Sequence, residues 1–203
     1  NVSSLYDTNK AFIDKYLRET ISILNYIINN RNLNTIHLNI INDIISNETV
    51  KKMKNYRQHC NTSCYTHCLH VAYYSYIIAK KLNLDYRSTA RAAMLHDLFL
   101  YDWRKKYRDV ELPGLHAFVH PKIALKNSLE IFSLNKKEID IILKHMWPVT
   151  ICPPKYKESY IVTLMDKYSA LRETYLYLQS KLKKNRVYKY AYIFLSLIIF
   201  RIV

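Results

Sequence analysis

Apolar residues recur at helical spacing in long Leu/Ile/Lys/Tyr-rich stretches with few breakers, the pattern of stacked helices. Residues 11–29 place Phe12, Tyr16, Ile23 and Ile27 in one such register, and residues 36–45 repeat it more briefly. The polar run Asn29-Asn30-Arg31-Asn32 is the natural break between them. Thr62 or Ser63 is suited to cap a helix running to about Asn83, and Asp85 to cap the next, which passes through Ala90, Ala92, Ala93 and Leu95 into His96-Asp97. A loop holding Pro113 and Gly114 is expected from about Trp103 to His120, with Pro121 in the first turn of the next helix. Asn135 and Glu138 have capping-box spacing at the start of the helix that leads to His145. Pro148, Pro153 and Pro154 mark a second loop, and a long helix through Asp166 is expected from Tyr156 to about Lys183.

Composition narrows this to one class. A chain of 203 residues, half of them apolar, has material for one compact core and little room for two. Its single glycine, Gly114, excludes designs that need glycine at phosphate loops or tight hairpins, among them the P-loop and the dinucleotide fingerprint. The expectation is an all-α fold. Residues 1–58 form an N-terminal helical extension packed on the core, residues 59–183 the main domain, and residues 184–203 an apolar C-terminal helix of the same globular unit.

The net charge of +15 reads either as a solvated lysine-rich surface or as an attraction for anionic partners. No RNA- or DNA-binding motif accompanies it, so sequence-specific nucleic-acid recognition is not expected. Cys60, Cys64 and Cys68 fall four residues apart, on one helix face if the helix reaches back that far. Without a CxxC pair or a secretory signal they do not suggest a disulfide framework, and the compartment is read as cytoplasmic. They read first as small apolar core residues, with a metal site of their own as the alternative. Residues 190–203 are apolar but short for a bilayer span. A core or homodimer-interface helix is the first reading, and weak membrane-surface contact aided by the basic residues before it is the second.

Six ionisable residues fall at helix ends or on helix faces: His67, His96, Asp97, His120, His145 and Asp166. A short turn at residues 84–86 folds one helix back beside another and can bring His67 near His96-Asp97. Asp166 lies in the apolar run Ile161-Val162-Thr163-Leu164-Met165, where burial penalises a carboxylate unless it pairs or binds a cation.

These residues resemble the HD superfamily of metal-dependent phosphohydrolases. His67 stands in HCLHVA, His96-Asp97 in AAMLHDLF and Asp166 in VTLMDKYS. His120 in HPKIA and His145 in ILKHMWP match the two extra histidines of the superfamily's two-metal members. The resemblance covers about residues 60–180 and implies an HD-domain-like helical bundle. It implies one ion on His67, His96, Asp97 and Asp166, and a second on His120 and His145, with Asp97 bridging the two and serving in water activation. The family places its first ligand before the "V-A" stretch, which favours His67 over His70. Iron, manganese, zinc and cobalt all suit such ligands.

The resemblance also implies an activity, hydrolysis of a phosphoester such as a nucleotide or another small phosphorylated metabolite. Arg104 or Lys105 is expected to grip its phosphate, with His116 and Lys144 as further substrate-side candidates. Departures from the family pattern narrow the choice. Lys144 precedes His145 and no Gly-Tyr-Pro segment comes after it, against the cyclic-dinucleotide phosphodiesterases of the HD-GYP type. Leu100 stands where stringent-response hydrolases and deoxynucleotidases carry an acidic residue, and the common lysine after His-Asp is absent. A di-iron HD-fold oxygenase and a non-catalytic nucleotide-binding module are the alternatives.

Overall fold

The computed structural model describes residues 31–104 and 114–182. The described residues are helical, with no strand among them, as expected. In chain order they form α1 (Arg31–Ile40), α2 (Asn42–Ile45), α3 (Glu48–Lys51), a 3-10 turn (Lys52–Asn55), α4 (Cys64–Lys81), α5 (Tyr86–Leu95), α6 (His116–Leu129), α7 (Lys136–Lys144) and α8 (Lys157–Leu182). The chain divides into two compact units between Asn39 and Ile40. The boundary expected near residue 58 lies within the second unit, which carries α2 to α8. The helix expected over residues 11–29 and the apolar segment 190–203 fall outside the described residues.

Local chemistry sets the helix starts. Ser63 Oγ accepts from the Thr66 amide at 3.2 Å, and Asp85 Oδ1 from the Ser88 amide at 3.1 Å. Asn135 and Glu138 form the complete reciprocal box, Oδ1 accepting from the Glu138 amide at 2.9 Å and Glu138 Oε2 from the Asn135 amide at 2.8 Å. Each cap satisfies backbone donors that a helix start leaves open. One expected start is corrected. Pro121 lies inside α6, which begins five residues earlier at His116. The chain breaks at Gly114, where φ is +156°, and Leu115 is extended. At the sixth position of that helix Pro121 removes one main-chain donor and crowds the Ala117 carbonyl, a cost α6 bears in its second turn. His120 therefore stands on a helix face and not in a loop.

In the second unit α4 packs on α5 and α8, α5 also packs on α7, and α7 also packs on α6 and α8. Tyr76, Met94, Leu95, Leu98, Phe99, Ile141 and Ile142 are fully buried between them. Residues 56–64 close a small loop ahead of α4, held by Gln58 N to Thr62 O at 2.9 Å and Cys64 N to Tyr56 O at 2.8 Å. That loop carries Gln58 inward over the end of α5.

Candidate metal centre

Two helix ends and two helix faces converge on Asp97. His96 and His145 are the C-cap residues of α5 and α7, and both use Nδ1 to hydrogen-bond the carbonyl three residues back, Ala93 O at 2.7 Å and Ile142 O at 2.8 Å. The last carbonyls of a helix lack main-chain donors, so a terminal histidine that donates there is oriented by the helix itself. His120, on α6, does the same one turn back, with Nδ1 at 2.8 Å from His116 O. His67, on the inner face of α4, has Nδ1 at 3.2 Å from both carboxylate oxygens of Glu173. An acceptor at every Nδ1 fixes the proton there and leaves the lone pair on Nε2, the arrangement of metal-ligating histidines.

All four Nε2 atoms face carboxylates. His67 Nε2 is 3.0 Å from Asp166 Oδ1, and His96 Nε2 is 3.7 Å from the same oxygen and 3.4 Å from Asp97 Oδ2. His120 and His145 Nε2 lie 3.3 and 3.5 Å from Asp97 Oδ1 and 2.8 Å from each other. Two lone pairs do not meet at that separation without positive charge between them. His96 Nε2 and Asp97 Oδ1 are buried without a hydrogen-bond partner, and an unpaired carboxylate oxygen away from water is costly. Imidazole nitrogens, carboxylate oxygens and orphaned acceptors facing one another fit divalent cations. The donor atoms of His67, His96 and Asp97, and those of Asp97, His120 and His145, each lie within 4.8 Å of one another.

The buried carboxylates and imidazoles also perturb one another's protonation strongly. Burial alone would raise Asp97, but the positive charge of His96 and then the neighbouring His120 ring hold it well below the usual carboxylate range. Asp166 is held down similarly by His67 and His96. Burial works against protonating His67 and His96, yet the carboxylates around them raise both well above ordinary histidine. His145 is pushed to about 3 by burial and then by the charges of His96 and His120. Glu173, despite burial, is held at about 2 by His67 and His70.

A cavity of about 310 Å³ opens on this centre. Asp97, His120, His145 and Asp166 form its floor, and Trp103, Ala117, Met146 and Ala170 supply apolar wall. Trp103 stacks on His116 at 5.2 Å, and His116 on His120 at 4.5 Å, so the wall is a short column of rings.

A family model for the HD domain matches residues 64–171, just over half of the chain. The chain belongs to the HD-domain family. Searches of curated proteins and of solved structures found no match. An HD domain implies divalent-metal binding, and the His/Asp clusters of this one are compatible with it.

The fold gathers the six expected ligands of this HD domain and distributes the expected substrate-side residues unevenly. His116 lines the cavity, and the Tyr101 hydroxyl is 2.9 Å from its Nδ1. Arg104 lies on the surface, its guanidinium 3.2 and 3.3 Å from the two carboxylate oxygens of Asp102. Lys105 falls outside the described residues. Lys144 is half-buried at the end of α7, away from the cavity lining. His70 is half-buried and 3.4 Å from Glu173. Lys167 lines the cavity, its Nζ donating to His145 O at 3.0 Å.

Two residues at the centre carry no mark in the sequence reading. Glu173 stands seven residues after Asp166 on α8, on the same face two turns on, and that spacing was a usable signal. Gln58 donates from Nε2 to Asp97 Oδ2 across a sequence gap of 39 residues, and no local pattern announces it.

Among the described residues no helix is long and apolar enough to cross a membrane. The helix does not reach back to Cys60. That residue lies in the loop before α4 with φ +48°, while Cys64 and Cys68 are fully buried on α4.

Proposed function

We propose that this HD domain is a two-metal phosphohydrolase acting on a small phosphoester. The observation that carries the reading is Asp97, one buried carboxylate set between the His67–His96–Asp166 group and the His120–His145 pair. His67, His96, Asp97 and Asp166 would hold one ion, and His120, His145 and Asp97 the other. When bound, such ions acidify a water and neutralise phosphate oxygens, the two requirements of phosphoester hydrolysis.

The chain's own residues prepare the site for that chemistry. Gln58 holds the Asp97 carboxylate from the side opposite the histidine pair. Lys167 ties the end of α7 to α8 and leaves a cation at the cavity for an anionic substrate. The ring column of Trp103 and His116 forms one wall, and Met146 and Ala170 add apolar surface to the lining. His116, which lines the cavity, is assigned to the substrate side, whereas Lys144 would reach a substrate only from outside that lining. Arg104 and Lys105 lie on the segment after Asp97, and Arg104 would exchange Asp102 for a substrate phosphate.

The test is a screen of phosphorylated metabolites on manganese- or cobalt-reconstituted protein beside Asp97→Ala. Phosphate release by the wild type and none by the variant is the expected result. Metal-loaded protein that releases no phosphate across the panel, or consumes oxygen when loaded with iron, would overturn hydrolysis in favour of a binding module or an oxygenase.

A further inference from the structure

The histidine–carboxylate centre does not use two other ligating groups that face Asp97. Cys64 and Cys68 lie one turn apart on the inner face of α4, the face that also presents His67, and both are fully buried. Cys64 Sγ is 3.2 Å from the Asp97 backbone carbonyl. Both sulfur atoms and an Asp97 carboxylate oxygen lie within 4.8 Å of one another. Atoms bound to a single zinc ion, with Zn–S about 2.3 Å and Zn–O about 2.0–2.2 Å, are separated by at most about 4.6 Å. The three donors are thus gathered within the range from which side-chain rotation can bring them onto a shared ion.

Packing alone does not ask for sulfur here. Val71 and Ala72 continue the same buried face of α4 with plain hydrocarbon. The two thiols occur only where the face passes Asp97.

Resting on the metal-centre reading above, we propose that Cys64 and Cys68 join Asp97 as ligands of a thiophilic divalent cation such as zinc or cobalt. On binding, each sulfur forms a bond to the ion and releases its proton to solvent, with no change of oxidation state. Sulfur donors beside a carboxylate oxygen select for such an ion over magnesium or calcium, which take oxygen ligands.

Cobalt(II) is the probe, because its visible ligand-field bands report a bound ion and a near-ultraviolet charge-transfer band reports sulfur on it. The protein tested is the full chain with Cys60→Asn and Cys152→Ser, so that only Cys64 and Cys68 remain as thiols. Asparagine suits the positive φ at position 60, and position 152 is exposed, so neither change disturbs the core. Expected are both sets of bands, with loss of the charge-transfer band in Cys64→Ser/Cys68→Ser. Ligand-field bands without the sulfur band would overturn sulfur ligation and leave the histidine–carboxylate centre standing. No bound cobalt at all would overturn both. The wild-type chain guards against a folding defect in the variants: cobalt-loaded wild type lacking the sulfur band is by itself decisive against the proposal.

Discussion

His96 and His145 do the same thing at the ends of two different helices, and the reason is backbone chemistry. A terminal imidazole that caps an open carbonyl through Nδ1 has its Nε2 aimed beyond the helix end, and two such ends meet at Asp97. His67 needs a different device because it lies in the first turn of α4 and not at a C-terminal end, and Glu173 supplies it. Removing that carboxylate should leave the ligand in place but badly held. Glu173→Ala is expected to weaken metal binding by about 10–100-fold, read by competition with a chromophoric chelator. Affinity equal to wild type would show that His67 is oriented by its packing alone. The six proposed ligands were legible as a constellation because each sits in a recognisable short context. Gln58 and Glu173 were not, since a residue that holds a ligand is marked by its contact and seldom by its neighbours in sequence.

Helix starts were well marked in the sequence because a cap is a local event, decided within four residues. Ser63, Asp85 and the Asn135–Glu138 box all stand where the pattern put them. The start of α6 was misread because proline at a first turn is a preference and not a requirement, and the break at Gly114–Leu115 decides it instead. The Asn135 box has a consequence for the site, since α7 carries His145 at its other end. Asn135 also donates to Ser88 Oγ at 2.8 Å, joining the starts of α5 and α7. Asn135→Ala should cost about 1–2 kcal/mol of stability, measured by urea unfolding. An unchanged midpoint would mean that packing against α5, α6 and α8 alone sets the position of α7.

Across the second unit, charge pairs tie together the starts of three helices far apart in sequence. Lys137 Nζ is 2.7 Å from Glu158 Oε1 and 3.6 Å from Asp85 Oδ2, and Glu158 also accepts the Asp85 amide at 3.1 Å. Although burial opposes it, Lys137 and amide hydrogen bonds hold Glu158 below its ordinary value; the Ser88 hydrogen bonds and Lys137 do so for Asp85. Depressed carboxylates contribute stability that is present above their unfolded pKa, about 4, and is lost as pH falls through their folded values. The thermal midpoint should therefore drop between about pH 5 and pH 3, and by less in Lys137→Met, where the pairing is already gone. Parallel curves for the two proteins would remove this group from the acid response. The all-α class was legible at this scale because apolar residues recur at helical spacing along the chain, and the HD domain because its short His/Asp motifs resemble that family's. The division between Asn39 and Ile40 was not, because no proline, glycine or charge run marks it.

Asp97 is the one carboxylate common to both ligand groups, and the two-metal site depends on it. Metal analysis of wild-type protein and of Asp97→Ala, each purified without added metal, addresses that directly. The wild type is expected to hold at least two divalent ions per chain and the variant none, because each group loses its shared oxygen donor. A folded Asp97→Ala protein that keeps its full metal content would contradict a bridging role for this residue.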